Sequence, residues 1–480
     1  MHLPYFPLPL RRTLAISAAT GPTAAFIILL LCASELNAQR ITYETLRMRD
    51  RETRVFTEHL VLPDTASGDR TLVSLFRIQN NFLSFRRYRD RNDPESQKNF
   101  YSEPDVDVRI FNRSEDDDPQ TSRDVVATGR WSETIFAETY EQTNSPLAFV
   151  QNMITSSLEP GRYRIEMTAT ANGRSRRDLE SSFHIADTAS SRTAYFYFLD
   201  NEIALEPPFE TALMNMGNNV FFGRDHNLAI WFPNVSENAG YKLDISKLRV
   251  SQQDTTEREK VMEYQIDQEG FHYGYVPDIA MQNDRPYFKL EKRGNREAGT
   301  GHFYVLKIPN STFENAHYRI RLRKTDADGE EYVIAQRAYQ SLWLDMPKSL
   351  LNLDVAINMM EFIVDDSKLR SLRRGSREDR ERRFREFWAE RDPDPDREYN
   401  ELMVEYYRRI DYAYDNFTTP QQPGYESDQG QVYIRNGEPD DKERTFPPNQ
   451  PARELWYYGD KVFVFEATTG FGDFRLIEQR

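Results

Sequence analysis

Alternation of apolar and polar residues is the feature that most restricts what this chain can fold into. Every second residue is apolar over positions 163–170, and the same pattern recurs over 106–110. A period of two is that of a β-strand with one buried and one solvent-facing side, whereas a helix requires a period of 3.6. Asn172-Gly173 directly follows the first run, and this dipeptide favours a hairpin because both residues tolerate positive φ. Residues 39–187 are therefore predicted to form antiparallel sheets.

A second β-rich block is predicted from residue 188 to residue 343. Its runs 194–199 and 228–232 are continuously apolar or aromatic, which is typical of strands covered on both faces. Positions 318–323 alternate again and lead to a turn at 326–329, much as 163–170 lead to Gly173. Two sandwich-like domains of similar size, related by duplication, would give this pattern, and chance similarity between two hairpins would give it as well.

The periodicity becomes helical after about residue 344. The first helical segment is predicted over 349–372, and a more regular helix is predicted to begin at Asp394-Pro395. One face of that helix carries seven apolar or aromatic residues: Tyr399, Leu402, Met403, Tyr406, Ile410, Ala413 and Phe417. Strands are predicted over 432–435, 455–458, 462–465 and 474–477. The chain is therefore expected to be multi-domain, with two all-β sandwich-like domains followed by an α+β C-terminal domain over 344–480.

Residues 1–38 have the features of a secretory signal peptide. Arg11 and Arg12 precede an apolar run at 24–31 that is too short for a membrane anchor, and Ala38 offers a cleavage point. Cys32 within a lipoprotein-type cleavage site and a twin-arginine signal are the alternatives. The protein is expected in the periplasm or on the surface of a Gram-negative-type bacterium, with no transmembrane segment after cleavage.

Charge and cysteine content exclude several functions. The net charge of −15 argues against a nucleic-acid partner. Cys32 is the single cysteine, so a chain cleaved after Ala38 has neither disulfides nor thiol chemistry. The last of the seven histidines is His317, which leaves the C-terminal domain without a histidine-based triad or metal site. No cofactor and no metal are expected.

The C-terminal residues resemble the GWxTD-domain family of exported bacterial proteins, found mostly in Bacteroidetes-like lineages. The naming motif is present as residues 424–428, Gly-Tyr-Glu-Ser-Asp, followed by Gly430. Similar flanking features are the segments 387–393, 406–410, 437–440, 456–458 and 463–465. Tyr425 replaces the family's Trp, and Ser427 replaces its Thr, so each change keeps the chemical type. The resemblance implies a domain and carries no activity with it.

Candidate functional residues come from the motif and its surroundings. The motif set comprises Gly424, Tyr425, Ser427, Asp428, Gly430, Gly437, Pro439 and Asp440. The aromatic and cationic residues Arg408, Arg409, Trp388 and Trp456 are candidates for binding a glycan or a peptide. Asp392, Asp428, Glu438 and Asp440 are the carboxylates that could act as general acid and base. Their structural interpretation is capping and turn formation, with Asp428 bonding the backbone between Gly424 and Gly430.

Two functional hypotheses follow. In the first, the chain is a non-catalytic binding protein of the cell envelope whose partner is an envelope protein or glycan. In the second, the C-terminal domain is a carboxylate-dependent hydrolase acting on an envelope glycan or peptide. Calcium binding at the acidic segments 114–119 and 392–396 is a further alternative to solvated or turn-forming loops. The second segment lacks the Gly and Glu that an EF-hand loop requires.

Overall fold

The computed structural model describes residues 42–48, 54–63, 70–89, 97–113, 124–186, 194–200, 206–250, 255–292, 301–446, 448, 450–468 and 473–480. The predicted signal peptide and the acidic segment 114–119 lie outside these ranges. No helix within them is long and apolar enough to cross a membrane. The chain divides into two compact units, one of Glu52–Asp345 and one that joins Met1–Arg51 to Met346–Arg480. Helix α1 (Tyr43–Met48) therefore belongs to the unit that contains the C-terminal domain.

The first half of the β unit is antiparallel throughout. Its elements are β1 (Val55–Pro63), β2 (Arg70–Gln79), β3 (Arg86–Arg87), β4 (Phe100–Ser102), β5 (Pro104–Asn112), β6 (Val125–Ser132), β7 (Ile135–Ala137), helix α2 (Tyr140–Asn144), β8 (Phe149–Leu158), β9 (Gly161–Ala171) and β10 (Ser175–Ile185). They form sheets in the orders β1-β2-β8, β10-β9-β5-β6 and β3-β4-β7. Asn172 and Gly173 both have positive φ at the turn between β9 and β10, so the predicted hairpin is present.

The second half adds twelve strands in three sheets. The strands are β11 (Tyr195–Leu199), β12 (Phe209–Ala212), β13 (Val220–Phe221), β14 (His226–Phe232), β15 (Gly240–Val250), β16 (Thr255–Ile266), β17 (His272–Tyr273), β18 (Tyr275–Gln282), β19 (Arg285–Lys292), β20 (His302–Ile308), β21 (His317–Thr325) and β22 (Glu331–Leu342). The sheet orders are β11-β14-β20-β17, β12-β19-β18 and β13-β22-β21-β15-β16. The pairing of β13 with β22 is parallel.

Three apolar clusters hold these sheets together. One lies between β1-β2-β8 and β10-β9-β5-β6 and includes Phe76 and Ile165. Another lies between the sheets of β14 and β21 and includes Leu228 and Ile320. The third contains residues from both halves, such as Val73 and Phe303. Strands β2 and β14 are consequently covered on both faces, which explains why both are buried along almost their whole length.

A buried ion pair also joins the two halves of this unit. Arg337 on β22 pairs with Glu58 on β1 and donates to the carbonyl oxygen of Phe196 at 3.1 Å. Glu58 is almost fully buried, so removing Arg337 would leave a buried carboxyl group without its ion-pair partner. Residues 52–345 thus form one compact unit, and the division at 187/188 into two domains stays a prediction.

The C-terminal unit contains helices first and a sheet afterwards, as predicted. Its elements are α3 (Leu353–Met359), α4 (Asp366–Leu372), α5 (Arg377–Ala389), α6 (Glu401–Phe417), α7 (Asp428–Asn436), β23 (Asp441–Thr445), β24 (Arg453–Tyr458), β25 (Lys461–Ala467) and β26 (Phe474–Gln479). Short 3-10 turns lie at Lys348–Leu351, Met360–Phe362 and Gly424–Glu426. The four strands form one antiparallel sheet in sequential order.

Two local predictions in this unit are wrong. Residues 432–435 are helical, not extended, because Ser427 caps a helix that begins at Asp428 and ends before Gly437. The long helix begins at Glu401 and not at Asp394-Pro395. Its cap is the buried Asn400, whose side chain accepts from the Met403 amide at 2.8 Å and donates to the Trp388 carbonyl at 2.9 Å. That second bond is tertiary, which is why the sequence did not reveal this start.

Candidate functional site

The motif forms a 3-10 turn followed by a helix N-terminus. Gly424–Glu426 make the turn, and Ser427 is the N-cap of α7. The Ser427 hydroxyl donates to the Gly424 carbonyl at 2.7 Å and accepts from the Gly430 amide at 3.0 Å. A hydroxyl at this position satisfies one of the unpaired N–H groups that begin every helix. Ser and the family's Thr can both perform this role.

The two glycines of the motif are required by close backbone approach. A Cβ atom on Gly424 would lie 2.0 Å from the carbonyl oxygen of Ala413, on α6. A Cβ atom on Gly430 would lie 1.8 Å from the carbonyl oxygen of Gly424. The motif turn is therefore packed directly on α6 and on the first turn of α7, with no room for a side chain at either position.

Asp428 joins the motif to the terminal sheet. Its Oδ2 atom accepts a hydrogen bond of 2.7 Å from the amide of Leu476 on β26. The sequence correctly indicated a backbone N–H as the partner of this carboxylate, but the proposed donors between Gly424 and Gly430 are wrong. Asp428 thus holds a distant strand, while Ser427 performs the local capping.

Tyr425 is the motif side chain that contacts a segment from far away in the sequence. Its hydroxyl donates to Glu44 Oε1 on α1 at 2.6 Å. Its ring makes edge-to-face contact with Tyr43, with ring centroids 5.6 Å apart. Tyr43 is 1% exposed and Tyr425 is 6% exposed. The motif therefore forms part of the surface on which α1 packs.

Asp411 on α6 completes this contact. Its carboxylate accepts from the Tyr43 hydroxyl at 2.7 Å and from the Lys348 amide at 2.8 Å. The ring of Tyr43 also lies against that of Tyr414, with centroids 4.9 Å apart. Tyr43, Glu44 and Asp411 were not among the predicted site residues. No local signal identified them, because the contact between Tyr43 and Asp411 joins positions that are 368 apart in the sequence.

Electrostatics at the contact between Tyr425 and Glu44 favour an ionised carboxylate beside a neutral phenol. Burial raises the pKa of Tyr425, and the hydrogen bond to Glu44 raises it further. Burial opposes ionisation of Glu44, but the hydrogen bonds that it accepts, from Tyr425 above all, leave its pKa lowered. Tyr425 is consequently a hydrogen-bond donor at neutral pH and is poorly suited to act as a base.

The segment 437–440 lies at the other end of α7. Gly437 has a φ of 85°, and a Cβ atom there would lie 3.0 Å from the Arg409 guanidinium carbon. Arg409 is paired with Glu405 at 2.7 Å. Asp440 accepts from the Gly459 amide at 2.6 Å and so holds the hairpin of β24 and β25. Pro439 is buried, whereas Glu438 is exposed.

The remaining predicted residues have different surroundings. Trp388 is 3% exposed and packs against Tyr406 and Tyr407, while Trp456 is fully buried in the core beneath the terminal sheet. Arg408 is exposed on α6. Asp392 accepts from the Asp394 amide at 3.0 Å and forms a turn. The two tryptophans thus contribute to packing in this conformation.

These positions define what the arrangement can do chemically. Asp392, Asp428 and Asp440 each accept a backbone N–H from a different part of the fold, which is a structural use of a carboxylate. Across the described ranges, no group of three or more His, Cys, Asp or Glu side chains is placed to hold a metal ion. A depression of about 500 Å³ lies on the outer face of β5, β9 and β10 in the other unit, lined by charged residues that include Arg176 and Asp178. Those two are paired with each other.

Comparison with solved structures gives matches of low similarity. Purple acid phosphatase from yellow lupin (Lupinus luteus) seeds matches with 7% identity and a TM-score of 0.16, over 60% of this chain and 41% of that one. The alpha-2-macroglobulin of E. coli matches with 8% identity and a TM-score of 0.15, over 60% of this chain and 16% of that one. The collagen binding domain of Erysipelothrix rhusiopathiae surface protein RspB matches with 11% identity and a TM-score of 0.17, over 60% of this chain and 94% of that one. Scores this low assign neither fold nor function. Among curated proteins, none matches the chain.

A family model provides the informative comparison. The model of the GWxTD domain matches residues 318–473. The match includes the turn, the capped helix α7, the segment 437–440 and the hairpin of β24 and β25 described above. The resemblance noted from the motif and its flanking segments is thereby confirmed. Residues 318–473 of this chain therefore contain a GWxTD domain.

Proposed function

We propose that this chain is an exported, non-catalytic interaction protein of the cell envelope, in which the GWxTD domain binds a short helical segment. The observation that supports the proposal is the hydrogen bond from Tyr425 to Glu44, together with the burial of Tyr43 against α6. Gly424, Ser427, Asp428 and Gly430 are all used inside the domain. Tyr425 differs from them because its hydroxyl donates to Glu44 on α1, while its ring lies against Tyr414 within the domain as well as against Tyr43. The motif then shapes a turn, and the turn presents an aromatic donor to a helix.

The carboxylates support a structural role better than the hydrolase alternative. Glycoside hydrolysis requires two carboxyl groups that face each other across the scissile bond. Asp392, Asp428 and Asp440 instead accept backbone N–H groups of the 392–394 turn, β26 and the β24–β25 hairpin respectively. No observation on the described residues favours the hydrolase, so the non-catalytic role is the one proposed.

Export is the second part of the proposal, and it rests on the sequence of residues 1–38. Its test is mass-spectrometric sequencing of the N-terminus of the protein expressed in a Gram-negative host and recovered from the periplasmic or surface fraction. We expect a chain that begins at Gln39. A chain that stays in the cytoplasm with residues 1–38 attached would overturn this part of the proposal.

Binding of the helical segment is tested by deleting the segment that contains α1 from the chain and adding it back as a separate peptide. A variant of the exported chain that lacks residues 39–50 is titrated into a fluorescent peptide of residues 40–50, and the anisotropy is measured. We expect saturable binding to this variant and none to the intact chain, because α1 already occupies the surface. The peptide with Tyr43→Ala serves as the matched control and is expected to bind at least about tenfold more weakly, since it loses a buried ring and a hydrogen bond.

Two results would contradict segment binding. One is the absence of peptide binding to a truncated chain that keeps the thermal unfolding profile of the intact domain. The other is equal binding of the two peptides, which would indicate non-specific adsorption.

A further inference from the structure

The contact between α1 and the C-terminal domain centres on two adjacent side chains, Tyr43 and Glu44. Tyr43 is 1% exposed, whereas the side chains of residues 44–46 are half-buried. A helix of six residues is not stable by itself in water, because it forms too few hydrogen bonds to offset the cost of nucleation. The helix therefore depends on its contacts with the domain, and Tyr43 is the most buried of its described side chains.

Three residues of the domain surround the Tyr43 side chain, and we call Asp411, Tyr414 and Tyr425 the α1 site. The rings of Tyr414 and Tyr425 contact Tyr43 edge to face, at centroid distances of 4.9 and 5.6 Å. Asp411 accepts a hydrogen bond of 2.7 Å from the Tyr43 hydroxyl. The α1 site thus takes an aromatic ring between two tyrosines and a hydroxyl donor at the end of that ring.

Asp411 is also held in place from the side of the domain. Its Oδ2 atom accepts from the Lys348 amide at 2.8 Å, and its Oδ1 atom accepts from the buried Ser349 hydroxyl at 3.4 Å. An ionised carboxylate accepts hydrogen bonds and cannot donate them, so the occupant has to supply a donor. Phenylalanine in place of Tyr43 would fill the ring position but would remove the shortest of these three hydrogen bonds.

A second requirement comes from Tyr425. Its hydroxyl donates to Glu44 Oε1 at 2.6 Å, and its side chain is 6% exposed. Burying a hydroxyl without an acceptor is unfavourable, so the residue after the tyrosine has to supply one. Consecutive residues of a helix point about 100° apart. Tyr43 and Glu44 can therefore contact Asp411 and Tyr425 respectively from a single helical turn.

The residues beside this pair fix where the helix begins. The Thr42 amide donates to Thr45 Oγ1 at 2.8 Å, and the Thr45 amide donates to Thr42 Oγ1 at 3.4 Å. This reciprocal arrangement is similar to a capping box, which satisfies two amides at a helix start. The pair of Tyr43 and Glu44 consequently occupies the first turn of α1.

We propose that the α1 site selects a tyrosine followed directly by an acidic residue in the first turn of a helix, and that a partner protein presents this pair in competition with α1. The proposal rests on the segment binding proposed above and adds the chemistry by which a segment is chosen. Asp411 selects the phenol, and Tyr425 selects the carboxylate. Because α1 belongs to the same chain, its effective concentration at the site is high, so a competing segment has to match its chemistry to displace it.

The host protein for the test is the full exported chain with Tyr43→Ala and Glu44→Ala, in which α1 has lost both selected groups. Fluorescent peptides of residues 40–50 are titrated with this host, and the anisotropy gives the Kd. We expect saturable binding of the peptide with the parent sequence. The peptides with Tyr43→Phe and with Glu44→Ala are each expected to bind about tenfold more weakly, since each loses one hydrogen bond to the α1 site.

A double-mutant cycle assigns each loss to one residue of the α1 site. In a host that also carries Tyr425→Phe, the loss caused by Glu44→Ala should shrink to less than about twofold, because the bond is already absent. Asp411→Asn should reduce the loss caused by Tyr43→Phe in the same way. The cycle cancels any effect of Glu44 on helix formation in the free peptide, because that effect is the same for every host.

The matched control host carries Tyr457→Phe, because Tyr457 donates to Glu443 on the terminal sheet. Both losses are expected to be unchanged in this host. Thermal unfolding shows which hosts keep the parent fold, and the cycle of Tyr425 with Glu44 decides the question if Asp411→Asn unfolds the domain.

Two results would overturn the proposed selection while leaving segment binding intact. One is equal binding of the three peptides to the starting host. The other is a set of losses that the substitutions in the α1 site leave unchanged. A parent peptide that does not bind at all would contradict segment binding itself, and this proposal with it, so the two failures are distinguishable.

Discussion

The hydroxyl of Tyr425 lies 2.6 Å from a carboxylate oxygen of Glu44, although 381 residues separate the two along the chain. Tyr425 belongs to the motif that names the domain, and Glu44 belongs to α1. The motif thus connects the C-terminal domain with a helix that precedes the whole β unit in the sequence.

Removing the Tyr425 hydroxyl should loosen α1. Tyr425→Phe keeps the ring contact with Tyr43 and deletes the hydrogen bond to Glu44, so we expect the docked helix to lose about 1 kcal/mol. Amide hydrogen exchange over residues 42–48 should accelerate about fivefold. Tyr457→Phe is the control, since Tyr457 donates to Glu443 on an exposed surface. Unchanged exchange over 42–48 in Tyr425→Phe would show that this bond does not hold α1.

Alanine at the motif glycines should lower the free energy of unfolding far more than alanine at a turn glycine. Gly430→Ala places a Cβ atom 1.8 Å from a backbone oxygen, and we expect a loss of about 3 kcal/mol or more in the free energy of unfolding. Gly459→Ala is the comparison, because its φ of 55° is unfavourable for alanine but nothing lies within 4 Å of its Cβ position. There we expect about 1 kcal/mol. Urea denaturation of both variants checks the order, and equal losses would contradict the close-approach argument.

Ser427 should tolerate threonine but not alanine. Ser427→Ala leaves the amide of Gly430 without its 3.0 Å acceptor, and we expect a loss of about 1–2 kcal/mol in unfolding free energy. Ser427→Thr retains the hydroxyl and should lose less than about 0.5 kcal/mol. Chemical denaturation of the pair distinguishes capping from a role in chemistry, because a catalytic hydroxyl would leave stability unchanged when it is removed.

Breaking the buried pair of Glu58 and Arg337 should destabilise the β unit strongly. Arg337→Met leaves the Glu58 carboxylate buried without a cation, and we expect a loss of about 3–5 kcal/mol. The double variant Glu58→Gln with Arg337→Met removes the isolated charge and should recover part of that loss. Thermal and urea unfolding of the single and double variants measure the coupling. A double variant no more stable than Arg337→Met alone would contradict the importance of the uncompensated charge.

Stability should decrease with acidification through His226. This ring is fully buried, neither of its nitrogens has a hydrogen-bond partner among the described residues, and burial lowers its pKa to about 3. Below about pH 6.5 the unfolded chain binds a proton that the folded chain rejects, so the stability present above that pH is lost as the pH falls towards 3. Burial similarly lowers the pKa of His59 to about 4.

The measurement is the difference in unfolding free energy between pH 7 and pH 5. Between pH 7 and pH 5, we expect the unfolding free energy of His226→Phe to fall by about 2 kcal/mol less than that of the parent chain. The reason is that the variant lacks the imidazole that takes up a proton on unfolding. His184→Phe is the control, because His184 is exposed on β10. Parallel pH profiles for the parent chain and His226→Phe would contradict the prediction.

Sequence patterns predicted the elements whose signal is local. The alternation over 163–170 and the Asn172-Gly173 turn predicted β9 and its hairpin with β10, and Gly459-Asp460 predicted the hairpin of β24 and β25. The helical period from 402 to 417 predicted most of α6. These features depend on neighbours a few residues apart, where backbone preference and side-chain period decide the structure.

The errors arose where a distant contact selects between local alternatives. The apolar residues 432–434 fit a strand as well as a helix, because short apolar runs do not distinguish the two. The Ser427 cap and the hydrogen bond that the Leu476 amide donates to Asp428 select the helix. Leu402 lies on the periodic face of α6 but is 46% exposed, so the apolar period does not by itself identify which residues are buried at the helix start.

The sequence by itself determined the high strand content, the order of helices before the last sheet, and the identity of the C-terminal domain. Each of these depends on residue types and on their spacing over a few positions. Tertiary structure alone decided what the motif does. It gave Asp428 a partner on β26, Tyr425 a partner on α1, and Asp440 a partner at Gly459. The physical reason is that a hydrogen-bonding side chain has many equivalent local partners. Only the packing of elements remote in sequence determines which donor or acceptor lies within 3 Å.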